Sequence, residues 1–171
     1  MKKLIIALLF VTLIILGYGS TRKSDITLSE EFLESKGYRI LSYTGFNESY
    51  PLTVNGIIYS GKWELQNVDP TQYIGKNITY LLFRVKNHPL DKWVEKDNLG
   101  NVTYRANGKV GVMLFLVNGK VIGGVSGLLG YERIGSPIWS LDGKSFEEVH
   151  PEALKIGIEK WYANWHKRFQ K

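Results

Sequence analysis

The sequence predicts an α+β domain: an antiparallel sheet of about four to six strands around one central hairpin, with a short N-terminal helix and a C-terminal amphipathic helix packed on it. Three observations carry this. Residues 109–126 read KVGVMLFLV-NG-KVIGGVS, two apolar β-branched runs flanking Asn118-Gly119, a strong short-range signal for a tight hairpin. Residues 77–86 alternate with strand period. Leu154, Ile158, Trp161, Trp165 and Phe169 recur with helical period near the C-terminus.

A type I′ loop at Asn118-Gly119 pairs Val117 with Lys120, Leu116 with Val121 and Phe115 with Ile122. Val110, Val112, Leu114, Leu116, Val121 and Val125 then share one face, and Met113, Phe115 and Ile122 the other. A sheet with one wet face would alternate apolar with polar residues, and this hairpin does not. It therefore sits centrally, covered on both sides. The C-terminal helix supplies one cover; the face of Met113, Phe115, Ile122 and Gly124 has no evident cover in the sequence.

Along the chain, Met1-Lys2-Lys3 precedes thirteen uncharged residues, 4–16, and then Gly17, Tyr18 and Gly19. A basic start, an apolar run and small residues make an export signal, with cleavage before Ser20 or retention as an anchor. The run is shorter than the roughly 20 residues of a full membrane span. Residues 1–19 are thus a signal peptide or N-terminal membrane anchor, and residues 20–171 one domain. Ile15-Leu16-Gly17 resembles the start of a lipoprotein cleavage box, but Tyr18 stands where the lipidated cysteine would be. The expected location is extracytoplasmic, secreted or held by residues 4–19, without a lipid anchor.

Thr27 and Glu30 have capping-box spacing for a helix over residues 26–37, ended by Gly37. A strand over 38–43 follows, then a mixed stretch, 45–61, with short strand candidates at 52–54 and 57–59; residues 57–66 suit helix and strand equally. Asp69-Pro70 opens a turn. The strand over 77–86 puts Thr79, Leu81, Phe83 and Val85 on one face and Ile78, Tyr80 and Leu82 on the other. Asn87-His88-Pro89 ends it. Residues 92–108 are polar and form an exposed loop or excursion hairpin with its tip at 98–101. Residues 138–141 make a last strand, Ser145 and Glu148 a second capping box, and Pro151 opens the final helix.

The composition is that of a globular protein, with 44% hydrophobic and 22% charged residues. The formal charge of +6, two of it from Lys2 and Lys3, is spread along the chain, which argues against a nucleic-acid partner. There is no cysteine, which excludes disulfides, thiolate metal sites and cysteine nucleophiles. The three histidines are too scattered for a metal centre, and no cofactor motif is present.

The residues with any hint of a site are His88, Asp91 and Trp93, just past a strand end where loops often carry function. The competing account is structural, His-Pro starting a loop and Asp91 capping a turn. Gly123 and Gly124 are the other candidates. Paired with Leu114 and Met113, they would leave a depression on each face, filled by Trp161 or Trp165 or by a ligand. Gly123-Gly124-Val-Ser126-Gly127 is no nucleophile elbow, since Leu128 stands where glycine is required. No catalytic residue is assigned.

Asp69-Pro70, Tyr73-Ile-Gly-Lys76, Val85-Lys-Asn-His-Pro-Leu-Asp91, Asn118-Gly-Lys-Val-Ile-Gly-Gly124 and Trp139-Ser-Leu-Asp-Gly-Lys144 resemble a family of small exported domains of unknown function from Gram-positive bacteria. The resemblance covers most of the chain after Thr27. It implies an extracytoplasmic α+β domain, often lipid-anchored, and no activity; Tyr18 departs from the lipidated members. The expected function is a non-enzymatic envelope module that binds a protein, peptide or cell-wall ligand. One alternative is a small extracytoplasmic hydrolase with His88 and Asp91 as candidates, which needs a cleft where His88 or His150 converges with a carboxylate or hydroxyl; the other is an inhibitor or immunity-type protein using residues 92–108. The binding reading predicts an exposed aromatic or apolar patch of more than a few hundred Å², and it loses its main support if the five tryptophans are all buried.

Overall fold

Asn118 and Gly119 both take positive φ, 50° and 79°, as a type I′ turn requires, and they join the two strands at the centre of the molecule. The structure, a computed structural model, describes residues 23–131 and 137–169. The export segment of residues 1–19 lies outside the described residues. Among them, no helix is long and apolar enough to cross a membrane.

The architecture is α+β. In chain order the elements are α1 (Asp25–Ser35), β1 (Arg39–Pro51), α2 (Val54–Ile58), a 3-10 turn (Pro70–Tyr73), β2 (Asn77–Lys86), a 3-10 turn (Pro89–Lys92), β3 (Val94–Lys96), β4 (Val102–Arg105), β5 (Val110–Val117), β6 (Lys120–Leu128), β7 (Trp139–Ser140), α3 (Phe146–Val149), α4 (Pro151–Ile156) and α5 (Ile158–Lys167). A five-stranded antiparallel sheet runs β1-β2-β5-β6-β7, and β3-β4 form a separate two-stranded hairpin.

The strand β2 has the bounds and the two faces its alternation predicts, with Leu81, Phe83 and Val85 in one core and Ile78 and Tyr80 in the other. The turn Asn118-Gly119 pairs Val117 with Lys120 and Leu116 with Val121, as expected. Beyond that the register departs from expectation. A bulge at Ile122 sets Phe115 opposite Gly123, Leu114 opposite Gly124 and Met113 opposite Val125. One extra residue moves every later side chain of β6 to the other face. Val125 therefore joins Met113, Phe115 and Ile122, not the face of Val112 and Leu114.

Both faces are covered, and the covers are the reverse of the expectation. Val110, Val112, Leu114 and Leu116 pack with Leu33 of α1, Tyr38, Leu90 and Trp139. The Phe115 face is covered by Leu52, Ile57, Trp63 and Leu65 from the segment between β1 and β2, and by Trp161, Trp165 and Phe169 from the C-terminus. Tyr80 and Trp63 meet the Phe115 ring at centroid distances of 5.1 and 5.3 Å.

Three other expectations are corrected. The cap of α1 is Ser24, whose hydroxyl accepts from the Thr27 N–H at 3.1 Å, so the helix starts before Thr27. Strand β1 continues to Pro51 through two irregularities opposite β2, and the apolar residues near Ile57 form the short helix α2, not strands. The final helix is two helices. Gly157, at φ 90°, breaks it between α4 and α5 and shifts the phase of the apolar stripe. Trp161, Trp165 and Phe169 stay buried, while Leu154 and Ile158 are 62% and 41% exposed and Ala153 takes the core position. The capping box of Ser145 and Glu148 forms as read.

Candidate functional site

A cleft lies where the bulge and the short β7 leave the edge of β6 open. Among the described residues β7 pairs with β6 at Val125 and Ser126 alone, and the outer edge of β6 toward the hairpin turn has no strand beside it. The cleft, of about 350 Å³, is floored by Val121, Ile122, Gly123 and Gly124 and walled by residues 65–68, the end of α1 and the turn after β7.

Gln66 organises the floor. Its Nε2 donates to the Gly124 carbonyl at 3.0 Å and to the Lys62 carbonyl at 2.7 Å, and its Oε1 accepts from the Gly124 N–H at 2.8 Å. A Cβ on Gly123 would lie 2.2 Å from Gln66 Oε1, and one on Gly124 would lie 2.6 Å from the Met113 carbonyl oxygen. The depressions expected at Gly123 and Gly124 are thus filled by Gln66 and by the neighbouring strand with Leu141, not by Trp161 or Trp165.

The opposite wall is held by ion pairing. Lys36 Nζ lies 2.7 Å from Asp142 Oδ1, and the Tyr38 hydroxyl donates to the same oxygen at 3.1 Å. Burial, reinforced by the Asp142 charge, pushes the Tyr38 hydroxyl well above the usual phenol range. Lys144 lines the cleft, and so does Glu148, whose carboxylate accepts from the Ser145 N–H at 2.7 Å.

His88 lies behind this wall and is buried. Its Nδ1 accepts from the Leu90 N–H at 3.1 Å, and its Nε2 faces the Leu141 carbonyl at 3.0 Å. One donor and one acceptor match a neutral ring carrying its proton on Nε2. Burial holds its pKa below the ordinary histidine value, against the opposing pull of the Leu141 carbonyl, Asp91 and Asp142. Both nitrogens are committed to main chain, so neither is presented to a substrate. Asp91 Oδ2 accepts from the Asn87 N–H at 2.7 Å, where Asn87 sits at φ 63°, and its Oδ1 is buried without a partner. Trp93 packs edge-on against Trp139 and Tyr131 at 5.4 and 5.8 Å. The structure therefore places Gly123 and Gly124 in the cleft, His88 one layer behind it, and Asp91 and Trp93 in the turn and aromatic cluster beyond β2.

A second polar group lies under the aromatic cover. Glu64 is buried, its Oε2 has no partner, and burial raises its carboxyl pKa against the opposing effect of main-chain amides and His150. His150 Nε2 meets the Glu64 carbonyl at 2.5 Å, while Nδ1 meets Glu152 Oε1 at 3.1 Å. Trp161 Nε1 donates to that same Glu152 oxygen at 3.0 Å.

Among the described residues, no three His, Asp or Glu side chains are grouped to hold a metal ion. Ser126 Oγ donates to the Ser140 carbonyl at 2.7 Å. Trp63, Trp139, Trp161 and Trp165 are buried and Trp93 half-buried, so no tryptophan platform faces solvent. Gln66 and Glu64 were missed by sequence reasoning. They fall in the stretch whose apolar pattern fits helix and strand alike, and no local motif marks an amide that bonds across 58 residues. No family model, no curated protein and no solved structure matches this chain.

Proposed function

We propose that this chain is an exported, non-enzymatic binding module of the cell envelope that holds a protein, peptide or cell-wall ligand in the cleft beside the outer edge of β6. The observation that carries the reading is the cleft: about 350 Å³, with main chain, an amide and paired charges on its walls. Pockets of this size with few convergent polar groups suit binding of a small ligand or a short segment. Against the hydrolase reading, His88 has both nitrogens committed to main chain, and His150, which does meet the Glu152 carboxylate, has its other nitrogen on the Glu64 carbonyl and does not line the cleft.

The pattern of residues 1–19 supports an extracytoplasmic location, by secretion or by anchoring through residues 4–19, and Tyr18 supports the absence of a lipid anchor. The resemblance to exported Gram-positive domains points the same way. Fractionation of the producing cell with sequencing of the mature N-terminus tests this part; a cytoplasmic, uncleaved chain overturns it.

A second reading, an inhibitor or immunity-type protein, is favoured by the tip of the β3-β4 hairpin. Leu99 stands 86% exposed there, on a turn in which Asp97 Oδ1 accepts from the N–H groups of Leu99 and Asn101 at 2.9 and 2.8 Å. One experiment separates the two. The chain has no cysteine, so Asn67→Cys at the cleft and Leu99→Cys at the tip each carry a single photo-crosslinker. Capture in intact cells from position 67 and not 99 is the expected result. Capture from 99 alone transfers the function to the hairpin.

A further inference from the structure

The outer edge of β6 meets two different neighbours in succession and then runs open. At Ser126 and Val125 it pairs with β7. At Gly124 it pairs with the Gln66 side chain, whose amide receives the N–H at 2.8 Å and donates to the C=O at 3.0 Å. That exchange of two hydrogen bonds is what an adjacent strand would make, and a primary amide carries the same donor and acceptor as a peptide unit. At Val121 no strand lies on that side among the described residues.

The direction of the Val121 groups follows from the hairpin. Val117 and Lys120 close the two-residue turn, so Leu116 and Val121 form the next, non-hydrogen-bonded pair. The N–H and C=O of Val121 then point away from β5, toward the cleft it lines. The bulge at Ile122 restores the same outward direction at Gly124, which the Gln66 bonds display.

We infer that the cleft takes an extended peptide segment whose main chain pairs with Val121, continuing the line begun by β7 and the Gln66 amide. The inference rests on the cleft being the ligand site, as proposed above, and names the chemistry of its occupant. The charges agree with an uncharged main chain. Lys36 is paired with Asp142, and Lys144 is balanced by Glu148, so the walls present no net charge to a polyanion or a polycation. Val68, Leu141 and Val149 supply apolar wall for alternate side chains of such a strand. Gln66 sets the register, because the first peptide unit along the edge is already in place.

The test is a pool of fluorescent, terminally blocked tetrapeptides measured by anisotropy against the full-length chain. Selected sequences are remade with N-methyl groups at odd or at even positions. Strand pairing presents alternate amides to β6, so one N-methyl set weakens binding by about tenfold or more while the other leaves it within about twofold. Asn67→Trp, which fills the mouth of the cleft from an exposed position, abolishes binding. Binding that Asn67→Trp blocks but N-methylation never alters overturns the strand pairing and leaves the cleft reading standing. A pool without a binder overturns the inference, and binding indifferent to Asn67→Trp overturns both.

Discussion

The two faces of the sheet solve the same burial problem with different materials. On one, Leu81, Phe83, Val85, Val110, Val112, Leu114 and Leu116 are fully buried beneath α1, and the histidine at the rim, His88, is neutral with one donor and one acceptor matched. On the other, Phe115 and Tyr80 lie beneath aromatic side chains from several short segments. An ionisable carboxyl, Glu64, is closed in with them beside His150, which faces two acceptors. The first face is sealed by α1 with Tyr38, Leu90 and Trp139, and its titratable histidine has both ring nitrogens hydrogen-bonded. The second is assembled from short pieces around a carboxyl with one oxygen left without a partner, which gives pH and ligands more to act on.

The sharpest way to break this comparison is to remove a large side chain from the face beneath α1. Phe83→Ala should cost about 3–5 kcal/mol in urea unfolding, since the ring is fully enclosed and its surroundings collapse only in part. A loss under about 1 kcal/mol would mean that this face is loosely packed.

The Gln66 clip should carry a smaller share. Gln66→Ala leaves the Gly124 N–H and C=O without their partners and should cost about 1–3 kcal/mol. Gly123→Ala, which drives its methyl group into Gln66 Oε1, should destabilise the wild-type chain but cost little more in a Gln66→Ala background. A double-mutant cycle that came out additive would refute the coupling.

Protonation gives opposite slopes on the two faces. The Glu64 carboxyl has a raised pKa in the folded chain, so the unfolded chain releases its proton first and stability falls as pH climbs above the ordinary glutamate value of about 4.3. Glu64→Gln should therefore gain on the wild type as pH rises from about 4 toward neutrality. The His88 pKa is lowered, so the unfolded chain takes up its proton first as pH falls through about 6.5, and stability falls with it. The melting temperature of His88→Gln should vary less than wild type between about pH 7 and 5. Parallel curves for variant and wild type would remove either residue from the account.

The smallest effect belongs to Leu154→Ser and Ile158→Ser, each within about 0.5 kcal/mol, because Gly157 turns both residues out of the core. Losses of core size would restore the continuous helix that their spacing suggests.

The legible parts of this fold were those whose cause is local. Strand β2 and the capping box of Ser145 announce themselves through alternation and spacing, and Asn118-Gly119 through backbone conformation. The bulge at Ile122 has no such mark. It sits beside a long-range contact, since Gln66 bonds Gly124 from 58 residues away and occupies the space where a Gly123 side chain would stand. The break at Gly157 was equally hidden, because a glycine inside a helical stripe is tolerated or disruptive according to what the two halves pack against. Of the candidate site, Gly123 and Gly124 were visible as an oddity within a strand, while the amide that makes them a cleft floor lay in a stretch without periodicity.

The strand order β1-β2-β5-β6-β7 means that no member of the large sheet is inserted between two earlier ones, and the excursion β3-β4 is closed on itself before β5 begins. A chain delivered N-terminus first can lay each new strand on a partner already in place, so the span of chain held open at any moment stays short. Phe115 is laid down before its last cover, since Trp161, Trp165 and Phe169 arrive at the end. The sheet can therefore grow in the order of synthesis, with docking of the C-terminal helices completing it.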